Sequence, residues 1–272
     1  MSNNLIPLRS LGQNFLTDKN IINKIITRTE VDISDTVIEI GPGKGILTFE
    51  LAKIAKKVIA IEKDRGLFNL LGKEIQEKQV RNIDLIHTDA LKFNYHDIIP
   101  PHRGIVISNP PYDIASRLII DLLSKFHDVN KIVFVVQKEV AQKAIATSGN
   151  MLLFSVLIQT FGDPKILFNI PRSCFYPQPR VDSSVLQITR NTEFFDNATK
   201  SDIQKFIKIV KSGFSSKRKF LINNLSEKLD ISKDDLKKIF LKTGLHEKVR
   251  AENLTIKQWI GIYNNIYAKQ GN

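Results

Sequence analysis

The chain has 272 residues, 42% hydrophobic and 25% charged, the composition of a soluble globular protein with room for a large and a small domain. Its formal charge of +12 favours a polyanionic partner, and no apolar run approaches the ~20 residues that span a bilayer. The start carries no signal-peptide pattern, and Cys174 is the only cysteine, which excludes an intrachain disulfide or a cysteine-based metal site and fits a reducing cytoplasm.

Residues 1–20 are polar and loop-like, punctuated by Leu11, Phe15 and Leu16, and Ile21–Thr29 reads as a short helix. From Thr36, apolar runs rich in Val and Ile alternate with amphipathic segments. Strands are predicted at Val37–Ile40, Val58–Ile61, Ile83–His87, Ile105–Ser108 and Ile132–Val136, with helices near Ile46–Ile54 and Gly66–Lys78. Such runs are expected where helices cover both faces of a parallel sheet, so the fold class is α/β, doubly wound. Further strands are expected at Phe154–Thr160, Lys165–Phe168 and Ser184–Thr189, with a turn at Gly162-Asp163-Pro164, closing the sheet in an antiparallel section. Beyond Thr199 the pattern is helical: Ile203, Phe206, Ile207 and Val210 share one face, and Leu236, Ile239 and Phe240 another. Ser232 with Asp235 and Thr255 with Gln258 have the spacing of capping boxes. Residues 200–272 hold 16 Lys and Arg against 7 Asp and Glu, so the tail carries most of the excess charge. The domains expected are 1–195 and a basic helical 196–272.

The chemistry concentrates at strand ends. Val37–Leu47 runs from a strand into Gly41, Gly43 and Gly45 and then a helix. Ile46 replaces the third glycine of G-x-G-x-x-G, which points away from NAD. Glu62, 21 positions after Gly41 and at the end of the next strand, stands where a ribose-binding carboxylate is expected. Alone, the segment fits either a nucleoside site or a tight turn with a solvated Glu62. At the fourth strand's end stands Asn109-Pro110-Pro111-Tyr112, beside the glycine turn in such a fold. Asn109 and the Pro110 carbonyl offer two acceptors to an amine, the prolines stiffen the backbone that carries them, and Tyr112 offers a face for a base. His87, His96, His102, His127 and His246 show no ligand spacing, and no metal is expected.

In order, Glu39–Gly45, Glu62, Asp89 and Asn109–Tyr112 resemble an S-adenosylmethionine-dependent amino-group methyltransferase. Leu11–Leu16 and Phe175–Ser183 narrow the likeness to the ribosomal RNA adenine dimethyltransferases. The basic stretch within Phe214–Leu221 and Arg250–Leu254 look more like the small-subunit enzymes than the macrolide-resistance large-subunit methylases. Pro110 departs from the Leu or Ile usual there. The resemblance implies a Rossmann-like class I methyltransferase sheet with an antiparallel final strand and a small all-helical C-terminal domain.

It also implies S-adenosyl-L-methionine as cofactor, with Gly41 and Gly43 approached by backbone, Glu62 on the ribose, Asp89 on the adenine amine, Asn14 and Leu16 at the methionine end, and Asn109 touching the cofactor as well. Asn109, Pro110, Tyr112 and Phe175 would be the catalytic group, Phe175 facing the base opposite Tyr112. Lys217, Arg218, Lys219 and Arg180 would contact RNA. The expected activity is dimethylation of adjacent adenines in the 3'-terminal hairpin of small-subunit rRNA, by a cytoplasmic monomer acting on rRNA or a pre-small-subunit particle. Alternatives are a large-subunit methylase or a non-catalytic RNA- or DNA-binding factor on the same fold.

Overall fold

A computed structural model describes residues 14–99, 104–195 and 198–267; Leu11-Gly12-Gln13 and the expected domain boundary at 196 lie outside them. The elements in order are β1 (Phe15–Leu16), α1 (Lys19–Thr29), β2 (Thr36–Ile40), α2 (Ile46–Ala52), β3 (Lys57–Glu62), α3 (Arg65–Glu77), β4 (Ile83–His87), β5 (Gly104–Ser108), α4 (Tyr112–Lys125), β6 (Val129–Gln137), α5 (Lys138–Ala144), α6 (Leu153–Phe161), β7 (Gly162–Ile170), β8 (Phe175–Tyr176), β9 (Ser183–Arg190), α7 (Lys200–Gly213), α8 (Leu221–Leu229), α9 (Lys233–Lys242) and α10 (Ile256–Tyr267). Among them no helix is long and apolar enough to cross a membrane.

Two compact units result: residues through Ala141 with Pro164–Arg190, and Gln142–Asp163 with the chain from Asn191 onward. The second therefore takes in 142–163 besides the tail expected from 196.

The first unit holds a seven-stranded sheet ordered β4-β3-β2-β5-β6-β9-β7. β4 through β6 in that order are parallel, and β9 runs antiparallel to β6. The Val- and Ile-rich strands are nearly all buried along their length, and Ile22 and Ile25 of α1 with Leu47 and Leu51 of α2 join them in one apolar cluster. Burying each such side chain stabilises the fold by about 1.5–3 kcal/mol. The chain moves outward from β2 to β3 and β4, then returns to start β5 on the other side of β2, which makes the β2/β5 seam the point where ligands bind in such sheets.

One expected strand is a helix. Phe154–Thr160 lies in α6, and Gly162-Asp163-Pro164 opens β7 instead of turning. Ser155, Val156, Leu157, Ile158, Thr160 and Phe161 are all buried, so the helix has no polar face to betray its period. Its hydroxyls bond inward, Thr160 Oγ1 to the Val156 carbonyl and Ser155 Oγ to that of Lys143. Within the second unit Phe161 packs on Phe195 and Phe206, with ring centroids 5.5 and 6.3 Å away. Ser232 and Thr255 cap α9 and α10 as their spacing predicts, and Thr199 with Asp202 forms a further capping box on α7.

Arg190, at the end of β9, closes the C-terminus of α4. Its Nη2 donates to the carbonyls of Phe126 at 2.8 Å and Leu123 at 3.0 Å, and its Nε to Val129 at 2.6 Å. Val129 opens β6, while the Leu123 and Phe126 carbonyls are ones a helix end leaves without intrahelical partners. Burial lowers its pKa to about 10, so the charge persists at neutral pH. Arg190→Ala should cost about 2–3 kcal/mol, the scale for buried hydrogen bonds from a charged donor. Urea unfolding measures this, and a loss under ~0.5 kcal/mol would mean that water satisfies those carbonyls equally well.

Candidate active site

The strand ends at the β2/β5 seam are in register: Ile40 pairs with Ile61 and with Ser108, and Glu62 with His87. The residues that follow, Gly41 and Asn109, therefore meet Glu62 at one edge of the sheet. The Ser108 hydroxyl donates to the Ile40 carbonyl and ties β5 to β2 there.

Beyond this edge lies a cavity of about 420 Å³. Of the expected cofactor and catalytic residues, Asn14, Leu16, Gly41, Gly43, Glu62, Asp89, Asn109, Pro110 and Tyr112 line it. Gly41 has a φ of +67°, and a Cβ there would meet nothing within 4 Å, so bare backbone borders open space as a ligand-approach position requires. Gly43 is also left-handed, and a Cβ on it would stand 2.8 Å from the Phe15 ring.

Glu62 is 5% exposed. Its Oε2 accepts from the Gly43 N–H at 3.2 Å and its Oε1 from the Asp64 N–H at 2.8 Å. Burial raises its pKa against the opposing pull of the backbone N–H groups of Asp64, Gly43 and Lys63. A carboxylate has about four acceptor sites, so these bonds orient it and leave capacity for a ligand hydroxyl. Asp89 accepts from Lys63 Nζ at 2.9 Å and from the Leu91 N–H at 3.0 Å. The Lys63 ammonium holds its carboxyl below the usual range. Turn capping and cavity lining thus coexist in one side chain.

Asn109 Nδ2 donates to the Asn14 carbonyl at 3.0 Å. Reversing the amide would set two oxygens against each other, so this contact fixes Oδ1 as the remaining acceptor. Pro110 is buried beside it. Tyr112 opens α4, and its hydroxyl shares a 2.7 Å hydrogen bond with Ser183 Oγ, which anchors the ring. Burial raises the phenol's pKa, so Tyr112 is neutral at physiological pH.

Phe175 is placed elsewhere. It is 4% exposed, clusters with Leu16, Val135 and Val185, and is outside the cavity lining. β8 pairs with β1, Leu16 opposite Phe175 and Phe15 opposite Tyr176, and strand alternation sends Phe175 inward while Tyr176 is 62% exposed. Arg180 is exposed between β8 and β9. Lys217, Arg218 and Lys219 are exposed in the second unit, where Lys219 pairs with Glu227 at 2.8 Å.

Three contributors have no counterpart among the expected site residues. Ser183 was visible only as the end of Phe175–Ser183, and Lys63 only as the neighbour of Glu62. Glu39 sits within the glycine segment, 2% exposed and lining the cavity. The Thr48 hydroxyl is its one nearby side-chain partner, and the contact falls short of a well-formed hydrogen bond. A buried carboxyl this short of partners at a cavity wall fits a polar ligand that would satisfy it.

A sequence model of the ribosomal RNA adenine dimethylases matches residues 8–268. The chain belongs to this family. Among curated relatives, ribosomal RNA small subunit methyltransferase A of Mycoplasma mobile is 40% identical over 91% of this chain and 93% of that protein. The protein of the same name from Natranaerobius thermophilus is 36% identical over 96% and 92%. The crystal structure of a dimethyladenosine transferase from Plasmodium falciparum superposes with a TM-score of 0.77 at 25% identity, covering 94% of this chain and 98% of that one. That of the 23S rRNA methyltransferase ErmE, at 23% identity and a TM-score of 0.70, covers 92% and 98% and shares the fold. This dimethylase is thus a Rossmann-like α/β methyltransferase, as its strand pattern and motifs predict.

Burial pushes the Glu39 carboxyl up to about 8 against the pull of the Thr48 hydroxyl, the Glu62 charge acting in the same sense as burial. Because the folded value exceeds the ordinary one, the native state binds this proton more tightly than the unfolded chain. The stability it contributes is full below the ordinary carboxyl range and is lost as pH rises through about 8. Glu39→Gln should flatten the fall in stability between about pH 5 and 8, by up to ~1.4 kcal/mol per pH unit. Urea midpoints across that range check this, and equal slopes in variant and parent would contradict it.

Proposed function

We propose that this dimethylase transfers methyl groups from S-adenosylmethionine to the exocyclic amines of adjacent adenines in the 3'-terminal hairpin of small-subunit rRNA. It acts during ribosome biogenesis, as a cytoplasmic monomer on rRNA or a pre-small-subunit particle. The observation that carries the reading is Asn109, its amide locked by the Asn14 carbonyl with Oδ1 left as an acceptor, beside Pro110 and Tyr112 in the cavity. The small-subunit names of the Mycoplasma mobile and Natranaerobius thermophilus relatives support the substrate class.

The residues present fit the cofactor. The Gly41 backbone borders open space, Glu62 has spare acceptor capacity for ribose hydroxyls, Asp89 lines the wall for an adenine amine, and Asn14 and Leu16 lie at the methionine end. Glu39 contributes a buried carboxyl to the cavity lining. When bound, S-adenosylmethionine supplies a methyl group on a cationic sulfur.

The residues of the chain act on the other reactant. An adenine amine is a weak nucleophile because its lone pair is delocalised into the ring. In the first transfer Asn109 Oδ1 and the Pro110 carbonyl accept from its two N–H bonds, and in the second the single N–H that remains keeps one of these acceptors. That favours a pyramidal nitrogen with a localised lone pair and stabilises the positive charge that develops there. Pro110 and Pro111 restrict the backbone, so the acceptors are held before the base arrives. Tyr112 stacks on a base taken out of its helix, its ring anchored by Ser183. The alkylated amine is cationic and acidic, and it gives its proton to water without a dedicated base.

Asn109→Ala should lower turnover by about 100-fold while RNA affinity stays near that of the parent, because the lost acceptor matters chiefly as charge develops. Tyr112→Ala should be similarly harmful, and Tyr112→Phe milder, keeping the stacking face but losing the anchor to Ser183. Single-turnover methyl transfer beside RNA binding measures both, and normal dimethylation by the Asn109 variant would refute the mechanism.

The basic second unit grips the RNA in this reading, through Lys217, Arg218 and Lys219, with Arg180 of the first unit as a further contact. Changing those three to Ala should weaken RNA binding and flatten its salt dependence, each lost phosphate contact reducing the slope by about 0.7–0.9. An unchanged slope in binding titrations would place the RNA surface elsewhere.

A further inference from the structure

The second unit carries a groove of about 440 Å³ between α7 and α8. Gln204, Lys208, Lys211 and Ser215 follow one another at helical spacing along α7 and just past its end, and Lys228 enters from α8. All five are exposed. Among the described residues lining the groove none is acidic and none aromatic.

That differs from an ordinary solvated helix face. On α9, Lys237 pairs with Asp234 and Lys238 with Asp235 one turn away. Lys208 and Lys211 sit one turn apart with no acid between them on their edge of α7, so their charges repel unless an anion enters. Glu227 lies 3.5 Å from Lys228 and 2.8 Å from Lys219, dividing one negative charge between two lysines.

The groove is also held open in advance. Buried Asn224 of α8 donates through Nδ2 to the Gly213 carbonyl at 2.7 Å and to that of Ser216 at 2.9 Å. Gly213 packs so closely that a Cβ would stand 2.9 Å from a Leu221 methyl and against the Trp259 ring. The end of α7 and the start of α8 are thereby locked, so the backbone that carries the groove need not rearrange when a ligand binds.

We propose that this groove binds phosphates of the RNA backbone without reading bases. Three ammonium groups with the Ser215 hydroxyl and the Gln204 amide supply donors for phosphate oxygens, and no ring is present on which a base could stack. The proposal rests on the reading of this chain as an rRNA methyltransferase and gives it a phosphate site separate from the Lys217–Lys219 loop.

The test compares two triple variants with the same loss of formal charge: K208Q/K211Q/K228Q in the groove and K233Q/K237Q/K238Q on α9. Each binds a small-subunit rRNA transcript across a salt series, with S-adenosylmethionine affinity and thermal melting as controls. In the groove variant the slope of log K against log salt should fall by about 2–3, against little change in the α9 variant. An unchanged slope, or an equal fall in both, overturns the groove. If the groove triple melts early, Lys211→Gln alone should still lower the slope by about 0.7–0.9, and no change would count against it. Methyl transfer by the parent chain is read separately. Steep salt-dependent binding without transfer removes the proposed reaction and leaves the groove standing, whereas no salt-dependent RNA binding by the parent overturns the groove.

Discussion

The in-register parallel pairing of β2 with β3 and β5 is the constraint on which the site depends. Ile40 lies opposite both Ile61 and Ser108, so the glycine turn, Glu62 and Asn109 leave the sheet side by side. A one-residue slip would turn each strand's side chains to the opposite face and carry Glu62 away from the Gly43 N–H. Burial of the Val- and Ile-rich strands enforces the register, so the packing that stabilises the fold also sets the site's geometry.

Two buried carboxyls at that edge work against stability. Against the pull of the Thr48 hydroxyl, Glu39 is held toward its neutral form by burial and by Glu62. Replacing it with an apolar group would remove a desolvation cost, which makes its presence informative. A buried carboxyl kept at a cavity wall against that cost fits a site complementary to a polar ligand.

The parallel strands and the residues at their ends were legible in the sequence because unbroken Val and Ile runs report burial on two faces. Gly41, Glu62 and Asn109–Tyr112 follow those runs directly. α6 was not legible, since Ser155 and Thr160 bond inward and leave the segment without a polar side. Its membership of the second unit depends on Phe161 meeting Phe195 and Phe206, residues far away in sequence. The Asn14 to Asn109 contact spans 95 positions and was foreshadowed only through resemblance, which linked Asn14 to the cofactor and not to the catalytic amide. The inward turn of Phe175 follows from the pairing of two-residue strands too short to leave a periodic signal.

The most direct measurement is methyl-group transfer from labelled S-adenosylmethionine to small-subunit RNA isolated from cells that lack the enzyme, with the product nucleoside and its position mapped. The account predicts N6,N6-dimethyladenosine at adjacent adenines of the 3'-terminal hairpin, and loss of that product in the Asn109→Ala variant. Label confined to large-subunit RNA, or no transfer by a chain that binds the cofactor, would contradict it.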